Sequence, residues 1–134
     1  MINKIFIATL ILTSHLLPAS ANEIDNRLQA YTNEGASVFD AERGKAMWHK
    51  QFPDPKNPGK TRSCGTCHTD NLKAKGKHAR TGKVIEPLSP SVNKERFTEK
   101  KFIEKWFKRN CKWVIGRECT AQEKGDFLSY LRNQ

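Results

Sequence analysis

Apolar side chains recur along this chain in short helical stripes, separated by polar stretches rich in proline and glycine. Glu23 to Asn33 carries Ile24, Leu28 and Tyr31, an i, i+4, i+7 spacing that predicts a short amphipathic helix. Asp40 stands at a capping position with Glu42 in the first turn, which predicts a helix over about residues 41–51. Gly44 and Trp48, four apart, share one face of it. Phe52 to Arg62 holds three prolines and a glycine and reads as a loop. Residues 70–91 are polar, basic and rich in turn formers, and predict a long, largely irregular wrap. Thr98 then predicts the cap of a helix over about residues 99–109, with Phe102, Ile103, Trp106 and Phe107 as its apolar set. Thr120-Ala121-Gln122-Glu123 is a capping box. It opens a last helix to about Arg132, with Phe127, Leu128, Tyr130 and Leu131 apolar. The pattern is all-α, with no strand signal and no internal repeat.

The first residues have a different character. Lys4 precedes the apolar run Ile5 to Leu12, and Ala19-Ser20-Ala21 is a small-x-small site before Asn22. This predicts a secretory signal peptide over residues 1–21 and one domain over residues 22–134. The competing reading, a membrane anchor, suffers from Thr13, Ser14 and His15, which break the run before it could span a bilayer. No later segment is apolar enough to cross a membrane, so the expected protein is exported to the periplasm and not transmembrane. The chain has 24 Lys and Arg against 14 Asp and Glu. The leader contains only Lys4 among these, so the basic balance stays with the domain, concentrated in residues 60–83 and 94–112. In a cytosolic chain this balance would suggest nucleic acid. For an exported one, no nucleic acid is expected, and an acidic redox partner or an anionic surface fits better.

The chemistry lies in the cysteines. Cys64-Gly65-Thr66-Cys67-His68 is C-x-x-C-H, the attachment signature of haem c. Two thiols at this spacing reach the two vinyl groups of one porphyrin edge, and the adjoining histidine supplies an axial imidazole. A zinc site would need a second ligand pair at similar spacing, and a thioredoxin-like pair would need a βαβ context. Neither is present in the sequence. Cys64 and Cys67 are therefore the expected attachment sites of one covalent haem, with His68 as proximal iron ligand. Cys111 and Cys119 remain. In an oxidising compartment they are expected to pair, the alternative being two buried thiols.

The second axial ligand decides the function. Small electron-carrying cytochromes commonly use a methionine on the C-terminal side of the motif, and here that side contains none. Met47, before the motif, reads as core packing. His49 reads as a surface residue of its helix, and His78 as an exposed loop residue that would ligate only if the loop folded over the haem. Asn110 continues the i, i+4, i+7 series from Ile103, carrying a polar side chain onto the apolar face beside Cys111. A carboxamide oxygen is a hard donor that suits iron(III) better than iron(II). The bland alternative is an asparagine that ends a helix.

Several segments resemble the SHP (sphaeroides haem protein) family, in the same order and over nearly the whole domain. They include Ala41 to Ala46, the C-x-x-C-H motif, Arg80 to Lys83, Pro87 to Ser91, Arg96 to Thr98 and Glu104 to Trp106. The strongest is Arg109-Asn110-Cys111-Lys112-Trp113-Val114-Ile115-Gly116-Arg117-Glu118-Cys119. The resemblance implies an all-α class I cytochrome c fold and a high-spin haem whose distal ligand is Asn110, beside a Cys111–Cys119 disulfide. It also implies binding of oxygen or nitric oxide in the reduced state, and a dihaem cytochrome c as redox partner. The expected function is one-electron transfer in the periplasm, with Asn110 leaving on reduction so that a diatomic gas ligand (O2, NO or CO) enters, and no enzymatic turnover. The rivals are a plain electron carrier with a fixed His or Lys ligand, a small haem enzyme reducing O2, NO or peroxide, and a gas-sensing module.

Overall fold

The computed structural model describes residues 22–134; the expected leader, residues 1–21, lies outside the described residues. The elements in order are α1 (Glu23–Asn33), α2 (Ala41–His49), β1 (Phe52–Pro53), β2 (Thr61–Arg62), α3 (Gly65–His68), β3 (Gly76–Lys77), β4 (Val84–Ile85), α4 (Lys100–Val114) and α5 (Ala121–Leu131). The helix starts follow their caps. Asn22 Oδ1 accepts from the Asp25 N–H at 3.1 Å, and Asp40 Oδ1 from the Glu42 N–H at 2.7 Å. At α5 both halves of the capping box form: Glu123 N–H donates to Thr120 Oγ1, and Thr120 N–H to Glu123 Oε2.

Three expectations need correction. Short antiparallel pairings exist: Phe52 lies opposite Arg62, and Gly76 opposite Ile85. Each strand has two residues, too few for any period-2 pattern to register in the sequence. Glu99, not Thr98, takes the N-cap position of α4, because the Thr98 hydroxyl is already donating to the Glu95 carbonyl. Most important for the site, α4 does not stop at Arg109. Nothing from Asn110 to Val114 breaks a helix, and the chain turns away only beyond it, through Gly116 at φ 86°.

The frame is built on α5. One side receives α2, where a Cβ at Gly44 would collide with the backbone carbonyl of Asp126 and come within 3.0 Å of Tyr130 Cβ. Only glycine permits this approach. Trp48, one turn on and on the same face, packs with its ring 6.4 Å from Phe127 and 6.2 Å from Tyr130. Two nitrogens of Arg43 grip the buried Asp126 carboxylate, both at 2.9 Å, and Asp126 also accepts from the Asp40 N–H. The start of α2 is thereby pinned to α5. The other side of α5 receives α1, through a core of Ile24, Tyr31, Ile103 and Leu128. Tyr31 donates to Glu104 at 2.6 Å, and Lys124 pairs with the same carboxylate at 2.9 Å. This polar link closes the α1–α4–α5 corner. Among the described residues no helix is long and apolar enough to cross a membrane.

Candidate haem site

The attachment segment is a single helical turn, α3, held from both ends. Buried Ser63 donates its N–H to Thr66 Oγ1 at 2.8 Å, and the His68 and Thr69 N–H groups bond back to the carbonyls of Cys64 and Gly65. Thr69 then turns into positive φ and ends the helix. The turn presents Cys64, Cys67 and His68 in one short arc. β3 lies directly beneath it. A Cβ at Gly76 would collide with the Cys67 carbonyl and reach within 3.0 Å of His68 Cα, so glycine is what lets the strand lie this close. The Ala79 N–H donates to Cys67 Sγ at 3.4 Å.

These groups suit haem attachment. Cys64 and Cys67 are half-buried and not bridged to each other. Burial pushes the Cys64 thiol up to about 12, which keeps it neutral at physiological pH. Burial, reinforced by the charge of Arg96, lowers His68 to about 4, so its imidazole is neutral with a ring lone pair available. Trp48 lies behind the ring at 5.7 Å between centroids. In the sequence Trp48 is legible only as sharing a helix face with Gly44. Its second role, backing His68, had no signal in spacing. Among the described residues no group of three or more His, Cys, Asp or Glu could hold a metal ion as a cluster.

Asn110 sits in the last full turns of α4. Its neighbours in the stripe, Ile103 and Val114, are buried and Phe107 is half-buried, whereas Asn110 itself is exposed and its carboxamide has no hydrogen bond among the described residues. An exposed carboxamide without a protein partner among the described residues is free to act as a donor to another group. The helix-ending alternative fails, because the helix runs on past Asn110. Cys111 and Cys119 form a disulfide with Cα atoms 5.6 Å apart, locking the turn that carries Asn110. Lys112 pairs with Glu118 at 3.0 Å across the same loop. Cys64 packs against the core cluster that contains Cys111, Cys119, Trp48 and Phe127, so the attachment turn and the bridge share one apolar floor.

The other ligand candidates are placed elsewhere. Met47 packs against that cluster. His49 Nδ1 faces Asp70 at 3.1 Å. His78 Nδ1 accepts the N–H groups of Arg80 and Thr81, within the turn that follows β3 under the attachment helix. One residue that sequence reasoning passed over is Arg62. It is buried, two positions before Cys64, and lies over the Trp113 ring. In the sequence it is one of many cations between residues 60 and 83, and nothing sets it apart.

The domain has relatives over most of its length. The family model for a domain of unknown function, DUF1924, matches residues 34–131. The cytochrome c-type protein SHP of Cereibacter sphaeroides is 43% identical over 109 residues, covering 80% of this chain and 81% of the relative. Cytochrome c'' of Methylophilus methylotrophus is 34% identical over 128 residues, covering 89% and 85%. Among solved structures, oxidised SHP, described as an oxygen-binding cytochrome c, superposes with a TM-score of 0.74 at 39% identity, over 84% of this chain and 98% of that one. Oxidised cytochrome c'' gives a TM-score of 0.74 at 33% identity, over 84% and 94%. The order of helices, the attachment turn and the helix crossing at Gly44 are thus those of an all-α class I cytochrome c, and the chain belongs to the SHP and cytochrome c'' family of monohaem c-type cytochromes.

Proposed function

We propose that this chain is a periplasmic one-electron cytochrome whose second axial ligand, Asn110, leaves on reduction and admits a diatomic gas. Haem c, when attached, supplies the one-electron couple and the axial position at which O2, NO or CO binds. Cys64 and Cys67 hold it covalently, and His68 is the proximal ligand. The neutral carboxamide of Asn110 is a hard donor, matched to iron(III) and poorly to iron(II), so reduction weakens its hold. The Cys111–Cys119 bridge keeps the released side chain near enough to return on oxidation. The observation that carries this reading is the exposed Asn110 carboxamide, without a protein partner among the described residues, on the turn of α4 that the Cys111–Cys119 bridge locks. The relatives agree in kind: SHP is described as oxygen-binding, and cytochrome c'' has been described in terms of haem-ligand detachment.

Partner choice follows from charge. α4 exposes Phe102 and Trp106, with Lys105 and Arg109 lying over the Trp106 ring. A basic, partly aromatic face suits an acidic redox partner, and a dihaem cytochrome c is the partner we propose.

The test is the optical spectrum of protein matured in a periplasm, oxidised and reduced, with and without carbon monoxide. The expected result is a high-spin oxidised form, rapid carbon monoxide binding on reduction, and an altered oxidised spectrum in Asn110→Ala. A low-spin spectrum in both states that ignores carbon monoxide would sink the proposal and leave a plain electron carrier.

A further inference from the structure

We propose that Arg62 is a positioning residue for Asn110: stacked on Trp113, it clamps the last turn of α4 to the attachment loop and limits how far Asn110 moves when it leaves the iron. This inference rests on Asn110 being the distal ligand.

The β1–β2 hairpin delivers Arg62 to a fixed place. Its strands pair at Phe52–Arg62 and Pro53–Thr61, and the Asp54 N–H donates to the Lys60 carbonyl at 2.9 Å. Asp54 turns inward and accepts Arg62 Nη1 at 3.3 Å. The Asp54 carboxylate is itself held by the Lys56 N–H at 2.9 Å and by Asn57 Nδ2 at 2.8 Å. Arg62 is only 6% exposed, and its Nε has no hydrogen-bond partner among the described residues. A buried cation with one carboxylate contact is incompletely compensated by hydrogen bonds. What lies against it is the Trp113 ring, with Arg62 Cζ 4.6 Å from the ring centroid, inside the range of an attractive cation–π contact. The stack is therefore the main interaction that Arg62 makes across to α4.

Placement gives the stack its consequence. Trp113 is three residues beyond Asn110, in the final turn of α4. Arg62 is two residues before Cys64. Two restraints therefore act on the turn that follows Asn110: the covalent bridge at Cys111 and the non-covalent stack at Trp113. The bridge is a covalent bond and does not loosen by thermal motion. The stack can, and its strength sets how far the turn relaxes around Cys111 when the carboxamide is released. A tight stack keeps Asn110 close, so that it competes with an incoming gas and returns quickly on oxidation.

The experiment uses periplasmically matured holoprotein and two kinetic readouts. These are carbon monoxide rebinding to the reduced form after flash photolysis, and the return of the Asn110-ligated spectrum after rapid oxidation. Arg62→Gln and Trp113→Leu should each speed carbon monoxide rebinding and slow spectral return by about threefold or more, the scale of a lost cation–π contact. The double variant should add little, because either change removes the same contact. Trp113→Phe, which keeps a ring, should restore most of the wild-type behaviour. In an Asn110→Ala background the effect of Arg62→Gln on carbon monoxide should vanish. If Arg62→Gln does not mature, Trp113→Leu, at a ring already 37% exposed, carries the same expectation alone. Unchanged rates in these variants overturn the clamp, and so does an Arg62 effect that persists in Asn110→Ala. If Asn110→Ala itself leaves the oxidised spectrum untouched, it is the ligand assignment that fails, which is a separate result.

Discussion

At the residue scale, chemistry and close packing meet around His68. The imidazole is backed by Trp48, and the turn that carries it rests on Gly76. The atoms a side chain at position 76 would strike are backbone, and backbone cannot rotate aside. Gly76→Ala should therefore destabilise the fold by about 1–3 kcal/mol, the usual cost of overpacking, and shift the haem spectrum because the proximal turn must move. Denaturant unfolding of the holoprotein measures this, and an unchanged midpoint would show that β3 yields freely. A second residue-scale prediction concerns Glu104. Burial opposes its ionisation, but hydrogen bonds from Tyr31 and Lys124 and the charges of Lys124 and Arg27 outweigh it and hold the carboxyl below its usual range. Its folded pKa lies below the unfolded one, so its stabilising contribution is complete above the unfolded carboxylate range and is lost as pH falls through the folded value. Glu104→Gln should flatten the acid limb of the stability profile, measured by urea unfolding from neutral to acid pH. A variant with the wild-type acid slope would mean that other carboxylates govern it.

At the element scale, α4 is where sequence periodicity was right about the face and wrong about the end. The series Ile103, Phe107, Asn110 is a property of spacing and is legible without a structure, whereas Phe102 and Trp106, read into the same apolar set, lie exposed beside it. The end point is not, because asparagine both stops helices and sits inside them, and the choice depends on what the following residues pack against. Here Cys111 and Val114 are buried, so the helix continues until they are covered. The bridge then closes an eight-residue separation onto the start of α5. Replacing Cys111 and Cys119 with serine should cost about 2–3 kcal/mol on loop-closure grounds, and should weaken Asn110 ligation in the oxidised protein. Calorimetry and the oxidised spectrum read the two effects separately. Retained stability together with wild-type ligation would remove the bridge from any role at the site.

At the scale of the whole molecule, charge is unevenly placed. α4 has Lys100, Lys101, Lys105, Lys108, Arg109 and Lys112 against a single acid, Glu104, which already serves Tyr31 and Lys124. Electron transfer from an acidic-faced partner should therefore slow as ionic strength rises, since exposed charges are screened beyond about 10 Å at 0.1 M salt. Stopped-flow reduction across a salt series measures this. A rate indifferent to salt would place docking on an uncharged part of the surface. The same scale explains the small core. Two apolar clusters, one on each side of α5, share Phe97 and Phe107 at their borders, and a covalently held cofactor would extend the floor on which Cys64 already rests.

By itself the sequence determined whatever is written in short-range spacing: the attachment motif and its histidine, the capping box and the apolar stripes, the shared face of Gly44 and Trp48, and two cysteines left to pair. Each depends on residues a few positions apart, where helical geometry and thioether chemistry leave little choice. Only the tertiary structure decided that Asn110 lies inside α4 with nothing to pair with, that His78 spends its ring nitrogen on its own turn, and that Arg62 reaches Trp113. Arg62 and Trp113 stand fifty-one positions apart. Contacts at that separation are set by how the hairpin and helices pack, and packing is a collective outcome that no local pattern records.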